Sequence, residues 1–366
     1  MEITQIRAYQ VDLPIKAGAY KWADQSFAAF DSTVVVIETD EGITGVGESC
    51  PLGPSYLPAY SEGVRAGIAV LGPDLLGENP TLLDVINHRM DALLKGHPYV
   101  KSALDMACWD IAGKASNVPV HTLLGGSFRD EVRLFRVINR GTPEAMVAEL
   151  QQLRAEGYVQ FQMKVGDDAD LDIQRIAAVC DELLPTETLA ADANTSWKTH
   201  EALRVVNSAA GRRLYIEQPC LSYDECLRVR QHTDLPMILD ESMTSPDVVV
   251  RGAADGAMDL INLKINKAGG LTRSRQIRDL CVQLGIGMTI EDTWGGEIAT
   301  AAIAHLAHST PPGFHFQSSP FHEYNDVTIA TGGPMVADGH MRASEGPGLG
   351  VTPDFDVLGE PVLVLD

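Results

Sequence analysis

FQMKV (161–165), TLAADAN (188–194), LYIEQP (214–219), PMILDES (236–242), LINLKI (260–265) and GMTIED (287–292) are six short apolar runs of strand length, and their spacing decides the fold. Between them lie stretches with apolar residues at helical spacing, such as SRQIRDLCVQLG (274–285). Working outward, VRLFRVIN (132–139) and the helical EAMVAELQQLRAEG (144–157) come before them, and FHFQSS (314–319) comes after. Eight strand candidates alternating with helices predict an α/β fold, a TIM-like (β/α)7-8 barrel with a parallel sheet. An open doubly wound sheet is the alternative, but no G-x-G-x-x-G follows the first strand of this region.

The first third reads as α+β. Residues 3–14 are strand-like and KAGAYKWADQSF (16–27) reads as a loop. STVVVIET (32–39) and ITGVGES (43–49) flank Asp40-Glu41-Gly42, the signal of a hairpin. Helical spacing recurs over residues 60–71, 81–95 and 99–116, and Gly125-Gly126 then breaks the chain. The expected organisation is a capping domain over 1–127, a catalytic barrel over 128–335, and a C-terminal segment over 336–366 that returns to complete the cap.

Composition bounds the function. The chain has 366 residues, 45% of them hydrophobic and 21% charged, so it has material for a large core. A net charge of −22 argues against a partner bound through its phosphate backbone, because clustered Lys and Arg are missing. No run of 18 apolar residues suggests a membrane span, and MEITQIRAYQVDLP lacks the apolar core of a signal peptide. The expectation is a cytoplasmic homo-oligomer that binds neither nucleic acid nor membrane. Six scattered cysteines without a C-x-x-C pair read as free thiols.

Ionisable residues recur at the strand ends: Lys164, Asp192, Glu217, Asp240, Lys264 and Asp292, at steps of 28, 25, 23, 24 and 28. One βα unit of a compact barrel takes roughly 25–30 residues, so the six groups are expected at the mouth where barrel active sites lie. Three carboxylates aimed at one mouth repel one another unless a cation sits among them. Oxygen ligands without His or Cys favour Mg²⁺. Lysines on either side of a carboxylate held by such an ion make an acid/base pair for abstraction of an α-proton.

These residues resemble the enolase superfamily, in its mandelate racemase/muconate lactonizing enzyme branch, and the resemblance covers essentially the whole chain. It rests on ALDMACWDIAGKASNVPVHTLLGG (103–126), FQMKVG (161–166), DAN (192–194), IEQP (216–219), LDES (239–242) and LKINKAGGLT (263–272). It implies Asp192, Glu217 and Asp240 as Mg²⁺ ligands and Lys164 and Lys264 as catalysts on opposite faces. It also implies a cap whose loops around Tyr20–Phe27 and Leu52–Tyr56 close over a small carboxylate substrate. Where the branch usually has Lys-x-Lys on the second barrel strand, this chain has Gln162-Met163-Lys164. Alternation puts Gln162 and Lys164 on one face, where Gln162 can reach a substrate carboxylate but brings no charge to depress the Lys164 pKa.

EDTWGGE (291–297) further resembles members that act on proline derivatives. The implied reaction is dehydration of cis-3-hydroxy-L-proline, a cyclic amino acid, to Δ1-pyrroline-2-carboxylate through a metal-stabilised enediolate. Epimerisation of proline betaine, hydroxyproline betaine or another amino-acid derivative is the alternative, and two lysines suit both. Asp292 is the candidate for the substrate ammonium, with Asn194, Tyr56, Trp22 and Ser318 as further substrate contacts. A betaine would favour an aromatic cage, with Tyr20, Trp22, Tyr56 and Trp294 as candidates. The eighth-strand end offers Gln317, Ser318 and Ser319 instead, which favours the smaller hydroxylated ring. A Schiff-base aldolase could also use a barrel lysine without Mg²⁺. An inactive descendant of the fold would be expected to have lost part of the acid–lysine set, which is intact.

Overall fold

The computed structural model describes residues 1–22 and 25–366. β1 (Ile3–Pro14), β2 (Ala29–Thr39) and β3 (Thr44–Ser49) form an antiparallel sheet, joined at its β1 edge by the last strand, Leu363–Leu365. The β2–β3 turn carries Gly42 at φ +76°, a conformation that only glycine adopts without strain. The segment expected as a loop over 16–27 contains a small hairpin instead, with Tyr20–Trp22 paired to Gln25–Phe27. Three helices follow: α1 (Ser61–Leu71), α2 (Leu83–Leu93) and α3 (Pro98–Ala115).

α3 is apolar or buried on nearly every side because it is clamped between the cap sheet and the barrel. Its polar residues are the docking points. Asp105 accepts from the Thr272 amide at 3.0 Å and the Thr272 hydroxyl at 2.6 Å. Trp109 donates to that same hydroxyl, and Asp110 accepts from the amides of Val46 and Leu349. The stretch 103–116 therefore joins cap, barrel and C-terminal segment.

The barrel strands are β4 (Phe135–Ile138), β5 (Gln160–Lys164), β6 (Thr188–Asp192), β7 (Tyr215–Glu217), β8 (Met237–Leu239), β9 (Leu260–Lys264), β10 (Gly287–Glu291) and β11 (His315–Ser318). They lie side by side in chain order, each pair parallel, and a Leu134–Ser318 bridge closes the ring. Polar caps launch several of the intervening helices. Thr142 accepts from the Ala145 amide ahead of α4 (Pro143–Ala155), and Asp168 from the Asp170 and Leu171 amides ahead of α5 (Ala169–Asp181). α6 (Thr199–Ser208), α7 (Tyr223–Arg230), α8 (Pro246–Asp255), α9 (Leu271–Leu284) and α10 (Glu297–His308) complete the outer layer. A hairpin of Met335–Ala337 and His340–Arg342 pairs with Val132–Arg133 before the chain returns to β1. Among the described residues all six cysteines are free thiols, and no helix is long and apolar enough to cross a membrane.

Candidate active site

The parallel register places the charged strand ends side by side. Lys164 pairs with Asp192 and Asp192 with Glu217 across neighbouring strands, and Asp240 stands one residue beyond the end of β8. Such neighbours are roughly 4.8 Å apart. Lys164 and Lys264 end the second and sixth of eight strands, so they face each other across the barrel.

Each acid is held differently. Lys164 Nζ reaches Asp192 Oδ2 at 2.6 Å, and the Asn194 amide donates to Asp192 Oδ1 at 2.8 Å. Lys264 Nζ donates to Asp240 Oδ2 at 2.7 Å, while Lys267 Nζ takes Asp240 Oδ1 at 2.8 Å and the Asp240 carbonyl at 2.7 Å. Among the described residues Glu217 receives only amides: Gln162 Nε2 at 3.0 and 2.9 Å and Asn262 Nδ2 at 2.6 Å. Burial and the adjacent Asp192 push the Glu217 carboxyl well above its usual range. Asp240 shows the converse: burial would raise it, but Lys264 and Lys267 outweigh burial and hold it below the usual range. Burial likewise opposes the charge on Lys164, and Asp192 overrides it to keep that lysine above its ordinary value.

Among the described residues no three acidic, His or Cys side chains are gathered into a ready metal cage. The donor chemistry nonetheless fits a hard divalent cation. Three carboxylates end adjacent strands, and the central one has amide partners but no cationic side chain within hydrogen-bond reach. Asp192, Glu217 and Asp240 are the side chains that can hold it.

The cavity is lined by a polar arc and an apolar wall. Gln162, Lys164, Asp192, Asn194, Lys264, Glu291, Asp292, Thr293 and Tyr56 form the first; Tyr20, Leu52, Phe135, Val137 and Phe321 form the second. Tyr56, on the cap loop, donates to Asp240 Oδ2 at 2.8 Å and accepts from Lys264 at 2.5 Å. Asn194 sits at φ +42° and donates its side-chain amide to Glu241 at 3.0 Å. Gly166 follows the Lys164 strand at φ +99°, where a Cβ would stand 2.5 Å from the Ala193 carbonyl oxygen.

Several expected contacts are placed otherwise. The amide of Gln162 is committed to Glu217. The Asp292 carboxylate is spent on the Asn266 amide at 3.1–3.2 Å, Asn266 Nδ2 at 2.9 Å and the Thr293 amide at 2.8 Å, so it caps a loop. Ser318 is buried with its hydroxyl against His315 Nε2 at 3.0 Å and is not among the cavity-lining residues. Trp294, a candidate for an aromatic cage, is buried at the centre of an aromatic cluster with Tyr20, Phe30, Phe321 and Tyr324. The Trp22 side chain lies outside the described residues. His305 and His308, on α10, are buried.

Sequence reasoning missed Lys267, Asn262 and Glu291. Alternation back from Lys264 would have flagged Asn262 on the inward face, and the register opposite Lys264 is Glu291, not Asp292.

Comparison with known proteins agrees with this architecture. Residues 5–125 match the mandelate racemase/muconate lactonizing enzyme N-terminal domain, and residues 145–357 match the enolase C-terminal domain-like family. The chain is 53% identical over 363 residues to the cis-3-hydroxy-L-proline dehydratase of Roseibium aggregatum, covering 99% of both chains. It is 30% identical to the N-succinyl-L-Arg/Lys racemase of Bacillus cereus, covering 100% of this chain and 99% of the relative. A member of the enolase superfamily from Roseovarius nubinhibens ISM, solved in complex with magnesium, superposes with a TM-score of 0.95 at 41% identity, covering 100% of this chain and 99% of that one. The chain therefore belongs to the mandelate racemase/muconate lactonizing enzyme family of the enolase superfamily.

Proposed function

We propose that this enzyme dehydrates cis-3-hydroxy-L-proline to Δ1-pyrroline-2-carboxylate, with Mg²⁺ held by Asp192, Glu217 and Asp240. The observation that carries the reading is the placement of Lys164 and Lys264 on opposite sides of one small cavity, with three carboxylates on the strands between them. In this substrate the 3-hydroxyl shares a ring face with the carboxylate, so it lies opposite the α-hydrogen. Loss of water is then anti and needs a base on one face and an acid on the other.

When bound, the cation supplies positive charge to the substrate carboxylate, which makes the α-proton removable. One lysine, in its neutral form, takes the α-proton as the Cα–H bond breaks; the ion pair with Asp192 or Asp240 that holds it protonated here gives way when that carboxylate turns to the cation. The opposing lysine protonates the departing hydroxyl as the C3–O bond breaks, the Cα–C3 double bond forms, and water leaves. The resulting enamine shifts its proton from nitrogen to C3 and gives the cyclic imine. Tyr56 and Asn194 border the substrate, Gln162 steadies Glu217, and the apolar wall receives the ring carbons.

The same lysine pair supports a second reading, epimerisation, in which the opposing lysine returns a proton to Cα. Proton NMR in D₂O with Mg²⁺ separates the two, using cis-3-hydroxy-L-proline, proline betaine and 4-hydroxyproline betaine. Loss of the α-proton signal with appearance of a cyclic imine supports dehydration. Deuterium entry into an intact ring makes the enzyme an epimerase. Absence of exchange from every compound overturns both.

A further inference from the structure

Three acidic side chains line the cavity: Asp192, Glu291 and Asp292. Asp192 is engaged by Lys164 and by the Asn194 amide, and Asp292 is consumed by Asn266 and Thr293. Glu291 differs from both. Among the described residues it accepts no hydrogen bond, and its one ionic partner, Lys264, stands 3.6 Å away. That lysine is already shared between Asp240 at 2.7 Å and Tyr56 at 2.5 Å. A buried carboxylate facing a cavity with so few donors costs stability unless something brings a donor to it.

The topology says what can bring one. In an α-amino acid the carboxylate and the nitrogen share the carbon that loses its proton. With that carbon between the second and sixth strands and the carboxylate toward the third to fifth, the nitrogen and ring fall toward the seventh, eighth and first. On that side Phe135 and Val137 of β4 and Phe321 beyond β11 are apolar, and Glu291 on β10 supplies a carboxylate that accepts no hydrogen bond among the described residues. Ring carbons match the first group, and an N–H-bearing cation matches the second.

We propose that Glu291 receives the ring ammonium of the substrate by hydrogen bonding and thereby selects cyclic amino acids bearing an N–H over quaternary betaines and ring ethers. The inference rests on the α-proton chemistry proposed above. A carboxylate needs an N–H to form a charge-assisted hydrogen bond, and a quaternary nitrogen offers none. Burial pushes the Glu291 carboxyl up to about 7, with Lys264 opposing, so an arriving ammonium also supplies the charge that favours its ionised form.

The test is calorimetric binding, with Mg²⁺ present, of L-proline, N,N-dimethyl-L-proline and tetrahydrofuran-2-carboxylate to the wild type, Glu291→Gln and Glu291→Asp. The wild type is expected to bind proline about tenfold or more tightly than the other two, the span of one charge-assisted hydrogen bond. Glu291→Gln should erase that preference by weakening proline alone, and Glu291→Asp should keep part of it. A wild type without preference overturns the proposal, as does a Gln variant that weakens all three ligands equally. α-Proton exchange in D₂O separates the two levels: exchange without preference sinks only the role of Glu291, whereas neither exchange nor binding sinks the proposed function with it.

Discussion

The carboxylate of Glu48, on β3 of the cap, accepts hydrogen bonds from the backbone amide of Gly296 at 2.7 Å and from that of Ala299 at 2.9 Å. A cap residue thus closes the N-terminus of a barrel helix, α10, where unpaired amides and the helix dipole favour an anion. Ser32 adds a third donor at 2.8 Å, and nearby Thr293 donates its hydroxyl to the Cys50 carbonyl at 2.9 Å. These bonds hold the loop between β10 and α10 against the strand that leads into the Leu52–Tyr56 lid.

Burial raises the Glu48 carboxyl to about 7, and the Ala299, Gly296 and Ser32 hydrogen bonds offset only part of that. A group whose folded pKa lies above its unfolded value stabilises the fold fully below the unfolded pKa, near 4.5, and loses that contribution as pH rises through about 7. For one proton the slope is about 1.4 kcal/mol per pH unit. Unfolding stability of Glu48→Gln, measured by denaturant titration from pH 5 to 7, should therefore fall less steeply with pH than the wild type by close to one proton. Parallel slopes would show that Glu48 does not titrate in this window.

The opposed lysines make a prediction that distinguishes their roles. Removing the lysine that takes the α-proton should abolish both deuterium exchange and dehydration. Removing its partner should abolish dehydration but leave exchange at Cα. Each loss should reach about 10²–10⁴-fold, the usual contribution of a positioned acid or base. Lys164→Ala and Lys264→Ala, followed by NMR in D₂O, decide which is which. Equal loss of exchange in both variants would contradict a one-base dehydration.

Much of this site was legible because strand ends repeat. Lys164, Asp192, Glu217, Asp240 and Lys264 each close a strand or follow it by one residue, and the spacing of βα units brings them to one mouth. What spacing could not show was which side chain at a strand end faces inward. Glu291 and Asp292 are neighbours in sequence and both border the cavity, but the parallel register sets Glu291 opposite Lys264, while the Asp292 carboxylate is used to cap a loop. Partners borrowed from another element were hidden for the same reason: Gln162 reaches Glu217 across two strand spacings, and Glu48 reaches α10 from the other domain. The pairing of Tyr20–Trp22 with Gln25–Phe27 was hidden too, because two three-residue strands carry too little alternation to separate from a loop.

The carboxylate set predicts a cation-linked stability. A ligand that binds only the folded state stabilises it by mass action, about 2.7 kcal/mol at a hundred times its Kd. Millimolar Mg²⁺ should raise the thermal midpoint of the wild type after chelator treatment. Asp192→Asn, Glu217→Gln and Asp240→Asn should each lose most of that increment, and Glu291→Gln should keep it. A wild type whose midpoint ignores Mg²⁺, with direct titration showing no binding, would remove the three acids as a metal site.

Tyr56 offers a last test, because its hydroxyl and its ring can be separated. The hydroxyl donates to Asp240 and accepts from Lys264, linking the cap loop to one acid and one lysine at once. Tyr56→Phe keeps the ring at the cavity and removes that bridge. Losing a buried hydrogen bond to a charged group costs about 1.5–3 kcal/mol, which corresponds to a fall in kcat/KM of roughly ten- to a hundredfold if the bridge is needed to hold Lys264 in place. The cap should remain docked, since Glu48 and Thr293 anchor the preceding strand independently of Tyr56. The thermal midpoint without substrate should accordingly move by only a few degrees. A Phe variant with unchanged kcat/KM would mean that Tyr56 serves by packing alone, and that Asp240 and Lys267 suffice to orient Lys264.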